Sequence, residues 1–305
     1  MSFGSDSRPK ISILSAVWNE AAYVAEMITS VQSQDLGEWE LLFVDDGSTD
    51  NTVAIIGEYA ARDPRIRLVS HGAKIGKVKA FNVAFSAGKG DVIVLLAGDD
   101  RIPPESLRAR YQAMASLPRH VPAVAYFKIR TFSEENKFHD MVLPRGSAGS
   151  RSGGSLTMNR VLAESLFPIE ETLVSEDIWL GYGSEFLASS VIDRSEVVLE
   201  YRIHAGNSNP RNRAFDDMTE SIHQRHRAWQ RLAETEQLPL APEARQRLAD
   251  MWAAEQLRHD GRVVALATFR ALPSIERIAL LSMAHPALFA LRTLFYKFFS
   301  GRRNK

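Results

Sequence analysis

The 305 residues are 45% hydrophobic and 24% charged, which suits one large globular domain or a core domain with an appendage and excludes disorder over most of the chain. Lys plus Arg and Asp plus Glu both number 37, so no global basic field points to nucleic acid, and any anionic ligand must be held locally. The absence of cysteine excludes disulfides, thiol catalysis and cysteine-ligated zinc and fits a reducing compartment; the opening MSFGSDSRPK has no apolar run of signal-peptide length, so export by that route is not expected.

Strand-like and helix-like segments alternate from the start. KISILSAVW (10–18) is rich in β-branched and large apolar residues, and the next segment sets Val24, Met27, Ile28 and Val31 on one helical face. The run Leu41 to Val44 is a second buried strand, followed by Ser48, Thr49, Asp50 and Asn51 as candidate caps of a helix carrying Val53, Ile56 and Tyr59. RIRLVS is a short third strand, HGAKIGKVK a loop with Gly and Lys, and a helix through Phe81 and Phe85 leads to DVIVLLAGDD. Continuous apolar strands separated by helices predict a mostly parallel sheet covered on both faces, an α/β fold with ligands beyond the carboxyl ends of its strands. Three of those ends carry acids: Glu20 after the first strand, Asp45 and Asp46 after the second, Asp99 and Asp100 after the fourth. A Gly-Asp turn explains one such end, whereas three facing one crevice point to a cation or a diphosphate, since adjacent carboxylates repel unless something positive completes them.

Further along, PPESLRARYQAMASL predicts a helix opened by Pro103 and Pro104, and VPAVAYFKIRTF a strand. Residues 145–154, RGSAGSRSGG, have no hydrophobic period and read either as a mobile loop near a site or as a plain surface connection. LVSEDIWLGYGSEFL predicts a helix headed by Ser175, with Glu176 and Asp177 in its first turn, and SEVVLEYRIHAGNSNPR a strand running into a polar turn at His204. From Asp216 the pattern is helical. The last segment, 286–305, is apolar and aromatic with a basic tail, too charged and short to span a membrane, and reads either as an interfacial helix on an anionic leaflet or as a docking helix on the core.

SILSAVWNEAAYV, LLFVDDGSTDNT, KIGKVKAFNVAFSAGKGDVIVLLAGDD and SEDIWL, in this order and spacing, resemble the motifs of the family 2 glycosyltransferases of the GT-A fold, over residues 10 to 206. Two positions depart from the pattern: Ala97 stands where the family commonly has an acid, and Trp18 where tyrosine is usual. The resemblance implies a GT-A domain over 1–212, followed by a helical region over 213–305. It implies a nucleotide-sugar site built by Val17, Asn19, Glu20, Asp46, Lys77 and Asp99, with Lys74 and Lys79 as reserve cations, and Mg²⁺ or Mn²⁺ held by Asp100, Asp99 and His204. His71 has no such support. Asp177 matches the catalytic base, with Glu176 beside it as the rival. The implied activity is inverting, single-transfer glycosylation from a UDP-, GDP- or dTDP-linked sugar to a saccharide or lipid-linked hydroxyl in cell-surface polysaccharide assembly, in the cytoplasm or on the inner face of the membrane. Two rivals stand beside it: a non-catalytic nucleotide-sugar-binding scaffold, favoured by Ala97, and a nucleotidyltransferase, which would want a Gly- and Arg-rich phosphate loop where SAVWNEAAY stands.

Overall fold

The computed structural model describes residues 9–133, 139–204 and 214–301. Its contacts divide the chain into two compact units, Met1–Asn207 and Ser208–Lys305. The predicted alternation opens the first unit: β1 (Ile11–Val17), α1 (Val24–Gln32), β2 (Trp39–Asp45), α2 (Thr52–Ala60), β3 (Ile66–Ser70), α3 (Lys77–Ala87) and β4 (Val92–Leu95). There follow α4 (Ser106–Ala115), β5 (Ala123–Ser133), β6 (Met141–Leu143), β7 (Leu156–Asn159), α5 (Arg160–Leu166), α6 (Asp177–Leu187) and β8 (Ser190–Ile203).

One eight-stranded sheet runs in the order β3-β2-β1-β4-β7-β5-β6, with β8 beside β5. Strands β1 to β4 are parallel and β8 is parallel to β5, whereas β7 runs antiparallel to β4 and β5, and β6 antiparallel to β5. The sheet is therefore mixed, with a parallel half made of β3, β2, β1 and β4. Successive residues such as Ile13 and Leu14, or Leu41 and Leu42, are all fully buried because helices cover both faces. The chain moves outward from β1 through β2 to β3 and returns to place β4 on the other side of β1. That reversal opens a crevice beyond the carboxyl ends of β1 and β4.

Several expectations need correction. The fourth strand ends at Leu95, so Asp99 and Asp100 lie in the turn beyond it, and α4 begins at Ser106 with both prolines ahead of it. Strands β6 and β7 carry too few residues for a period to show, and their pairing with β4 and β5 makes them strands. The stretch 145–154 is tied down: buried Lys128 donates to the carbonyls of Pro144 (2.8 Å), Gly146 (2.7 Å) and Ala148, and Ser150 N–H donates to Phe127 O (2.7 Å). The expected polar turn after His204 lies outside the described residues.

Arg110 is a polar brace within this core. It is fully buried, burial alone pulls its pKa down to about 9, and its guanidinium donates to Gly154 O (2.6 Å), Leu156 O (3.3 Å) and Thr157 Oγ1 (2.8 Å). Arg110→Met removes a charge that has no acidic partner among the described residues but leaves those acceptors bare in a dry site. The lost hydrogen bonds dominate, and the expected cost is about 3 kcal/mol, read as a lowered denaturant midpoint at unchanged slope.

The second unit is helical, as expected: α7 (Phe215–Glu234), α8 (Pro242–His259), α9 (Val263–Thr268), α10 (Ser274–Leu281) and α11 (Pro286–Gly301). Helices α7 and α8 are antiparallel, since Arg258 reaches Thr219 O at 3.0 Å while Arg245 reaches Ala233 O at 2.9 Å. Between them Glu255 and Arg258 are fully buried, paired at 2.6 Å, with His223 Nδ1 and His226 Nδ1 at 3.4 and 3.3 Å from the same carboxylate.

Candidate active site

The ends of β1 and β2 are stitched together by short polar side chains. Asn19 adopts φ 55°, a left-handed backbone that asparagine tolerates; its N–H donates to Ser48 Oγ (2.8 Å) and its Oδ1 accepts from Thr49 N–H (2.8 Å). Glu20 N–H donates to Thr52 Oγ1 (2.8 Å), and Asp50 accepts from the N–H groups of Ala21 and Thr52. Asp50, rather than Asn51, thus caps the first turn of α2. Asn19 serves as a stitch, and the carboxylate of Glu20 remains for the crevice.

The neighbouring acids of β2 divide their work. Asp45, buried, accepts from Gly47 and Ser48 N–H and shapes the turn; a side chain at Gly47 (φ 77°) would stand 2.9 Å from Lys74 N. Asp46 N–H donates to Val17 O (2.8 Å), and its Oδ1 accepts from the N–H groups of Ile75 and Gly76 at 2.7 Å each, holding the loop that starts α3. Lys74 Nζ sits 3.7 Å from Asp46 Oδ2 and 3.9 Å from the centre of the exposed Trp18 ring. Trp18, Lys74 and Asp46 therefore form one wall, which the tryptophan departure builds. Val17 is buried behind it, and Lys79 pairs with Glu171 at 3.4 Å, away from this group.

Beyond β4, Asp99 and Asp100 are organised by a residue that the motifs do not single out. Arg202, on β8, donates its backbone N–H to Asp100 Oδ1 (2.8 Å) and its Nε to Asp99 O (2.8 Å), while its guanidinium pairs with Glu26 and lies 4.7 Å from the centre of the Tyr23 ring. Two residues on, His204 Nε2 stands 3.1 Å from Asp99 Oδ2. Strand alternation puts positions 202 and 204 on one face, the signal by which the sequence could have shown Arg202. Position 98 is crowded, since a Cβ there would stand 2.9 Å from Glu20 Cγ and 3.0 Å from Val17 Cγ1 and those side chains would have to shift. Burial, then Asp99, pushes Asp100 well above the usual carboxylate range, against the Arg202 N–H. Glu20 is pushed up to about 7 by burial and by Asp99 and Asp50, against Arg202 and Lys77. Burial and the crowding of acids thus disfavour the charged form of both carboxyls.

The start of α6 separates the two candidate bases. Glu176 is buried and pairs with Lys77 Nζ at 2.9 Å. Burial opposes the charge on Lys77, but Glu176, Asp177 and Asp99 outweigh it and hold its pKa above the ordinary lysine value. Asp177 Oδ1 accepts from Ser175 Oγ (2.7 Å) and Ile178 N–H (2.9 Å), and the residue lines a cavity of ≈ 260 Å³ with Arg151, Ile178, Gly181, Tyr182 and Glu185. Arg151 pairs there with Asp193 at 2.5 Å and lies 4.0 Å from the centre of the Tyr126 ring. As donors, the carboxylates of Asp99 and Asp100 and the imidazole of His204 suit Mg²⁺ or Mn²⁺. Asp99 and His204 are in contact, whereas Asp100 is turned to the Arg202 backbone, and no group of three or more metal-ligating side chains is gathered among the described residues.

Residues 12–169 match the model of the family described as Glycosyl transferase family 2, just over half of the chain. The chain belongs to glycosyl transferase family 2. Relatives in the family include glycosyltransferase GlyG of Streptococcus pneumoniae serotype 4, 30% identical over 102 residues, covering 33% of this chain and 34% of GlyG. The O-antigen biosynthesis protein RfbC of Myxococcus xanthus is 36% identical over 102 residues, covering 33% of this chain and 8% of RfbC. Among four curated relatives the match spans only 12% to 42% of their length. The fold extends the likeness: residues 1–349 of TarS from S. aureus, solved with UDP-GlcNAc, superpose with a TM-score of 0.61 at 18% identity, over 97% of this chain and 93% of that one. The mannosyltransferase PcManGT from Pyrobaculum calidifontis, solved with GDP-Man and Mn²⁺, gives 0.60 at 18% identity, over 98% and 87%. These glycosyltransferase folds agree with the GT-A expectation for the α/β sheet.

Proposed function

We propose that this glycosyltransferase moves a sugar from a nucleoside diphosphate to a hydroxyl acceptor with inversion at the anomeric carbon, in the assembly of a cell-surface saccharide or glycolipid. The observation that carries this is the division at α6, where Glu176 is buried with its Oε1 on Lys77 while Asp177 lines a cavity large enough for a sugar ring. The acceptor hydroxyl gives its proton to Asp177 as its oxygen bonds to C1, and the bond from C1 to the diphosphate oxygen breaks with its electron pair leaving on phosphate. Attack opposite the leaving group inverts the centre. The Trp18–Lys74–Asp46 wall suits a nucleotide base, and cationic Lys77 suits a diphosphate oxygen. Asp99 and His204, with Asp100, would hold Mg²⁺ or Mn²⁺, which neutralises charge on the departing diphosphate. The crowding of Asp99, Asp100 and Glu20, whose charged forms a cation would favour, and the Mn²⁺ in the PcManGT complex support that assignment.

The cavity beside Asp177 is the acceptor site in this scheme. It carries two carboxylates, Asp177 and Glu185, against one guanidinium, and that guanidinium is bound to Asp193. Such a balance suits a neutral saccharide over one bearing phosphate or carboxylate. Calorimetric titration of UDP, GDP and dTDP, each with and without Mn²⁺, tests the donor side. One nucleotide is expected to bind with metal enhancement, and Asp99→Asn to weaken it by a factor on the order of 10 to 100 only when metal is present. Binding of none of the three would overturn the donor site, and unchanged binding to Asp99→Asn the metal assignment.

A further inference from the structure

The charge of this neutral chain is unevenly spread. From Gly261 to the end it has eight basic residues (Arg262, Arg270, Arg277, Arg292, Lys297, Arg302, Arg303 and Lys305) and a single acid, Glu276. Glu276 is itself gripped by Arg247, whose Nη2 lies 2.6 Å from Oε1 and 2.5 Å from Oε2, so it does little to offset the excess. The same stretch exposes large aliphatic side chains: Val264 at 79%, Ile275 at 78%, Ile278 at 65%, Leu291 at 52% and Leu294 at 63%. Ile275 and Ile278 are three apart on α10, and Leu291 and Leu294 three apart on α11, so each helix turns one exposed apolar pair outward. Exposed aliphatic side chains in a segment rich in arginine and almost without acids have the composition of a surface that meets anionic headgroups with its charges and acyl chains with its aliphatics.

Geometry indicates how such a surface engages lipid. No single helix among the described residues is long and apolar enough to cross a membrane, and α10 and the described part of α11 meet at 102°. Two helices at nearly a right angle make no straight span, and both axes can lie in one plane along a bilayer. We propose that α9, α10 and α11 form a peripheral docking surface for a bilayer rich in anionic lipid, with Val264, Ile275, Ile278, Leu291 and Leu294 entering the interface and the surrounding arginines contacting headgroups. This site extends well upstream of the terminal segment that the sequence singles out. It does not depend on the transferase activity.

Co-sedimentation of the full chain with phosphatidylcholine vesicles, pure or with about 30% phosphatidylglycerol, tests it. Partitioning is expected to be at least about tenfold stronger on the anionic vesicles and to fall by about tenfold when salt is raised from about 0.1 to about 0.5 M. Paired substitution of Ile275→Asp and Ile278→Asp, and separately Val264→Asp, should bring binding on anionic vesicles down to the level on neutral ones, with the thermal unfolding curve unchanged because these side chains are exposed. Equal partitioning on both vesicle types, absence of binding, or binding that survives both sets of substitutions overturns the proposal. So does a dimer in light scattering that the paired substitution dissociates without any effect on vesicles, since the face would then belong to a second copy of the chain.

Discussion

Asp177→Asn is expected to lower kcat by a factor of about 10² to 10⁴ while leaving nucleotide affinity within about threefold of the parent. Asparagine is nearly isosteric, and its Oδ1 can still accept from Ser175 Oγ and Ile178 N–H, so the first turn of α6 keeps its geometry. Proton acceptance and the formal charge that Lys77 feels from this position are lost. A sugar hydroxyl attacking without a base must expel its proton into water as the new bond forms, which returns the barrier that the carboxylate removes. Glu176→Gln is the comparison: it breaks the pair with Lys77 and should act mainly through donor affinity. The assay is nucleotide release from the donor identified by titration, with a neutral saccharide acceptor. Full activity of Asp177→Asn together with a dead Glu176→Gln would reverse the roles, and a wild type that binds the nucleotide but never turns over would favour the scaffold.

Glu255→Ala should cost the helical unit about 3 to 5 kcal/mol, because it leaves the fully buried Arg258 guanidinium without its counter-charge. Carbonyls of Thr219 and Met283 still accept from Arg258, but neither carries a formal charge. The same cluster makes the unit acid-sensitive. Burial works against the Glu255 carboxylate, yet Arg258 and His226 overcome it and hold its pKa below the ordinary value. Its stabilisation is therefore complete above the unfolded pKa of about 4.3 and drains away as pH falls through the folded one. Burial and then the stacked His259 lower His223, so the folded state resists a proton that the unfolded chain accepts near pH 6.5, and stability again falls on acidification. Denaturant unfolding followed by the fluorescence of Trp229, stacked on His226 at 3.9 Å, and Trp252, 4.9 Å from His223, reports both effects. The midpoint should drop in two stages between about pH 7 and about pH 3. A midpoint that rises on acidification would contradict both signs.

The two predictions differ in how far the sequence anticipates them. Asp177 stands out beforehand because SEDIWL resembles the late Glu-Asp motif of the family, a likeness carried by a local stretch of chain. The Glu255 cluster does not: PEARQRLADMWAAEQLRHDG reads as a helix, and nothing in it shows which acid turns inward. Only the antiparallel packing of α7 on α8 brings His223 and His226 to that carboxylate and Thr219 to its partner Arg258.

By itself the sequence determined the alternation of strands and helices through β4, the helical character from Asp216, and the acids at three strand ends. Each follows from short-range patterning: apolar runs, helical period, and turn residues after strands. Tertiary structure alone decided what each acid does. Asp45 and Asp46 are neighbours, yet one shapes its own turn and the other holds a loop some 30 residues on; Glu176 and Asp177 are neighbours, yet one is spent on Lys77 and the other lines a cavity. It also made strands of β6 and β7 and brought Arg202 across 102 residues to Asp100. The physical reason is that a carboxylate's role depends on its burial, its hydrogen-bond donors and the charges within a few ångströms, and distant parts of the chain supply these only once the sheet has formed.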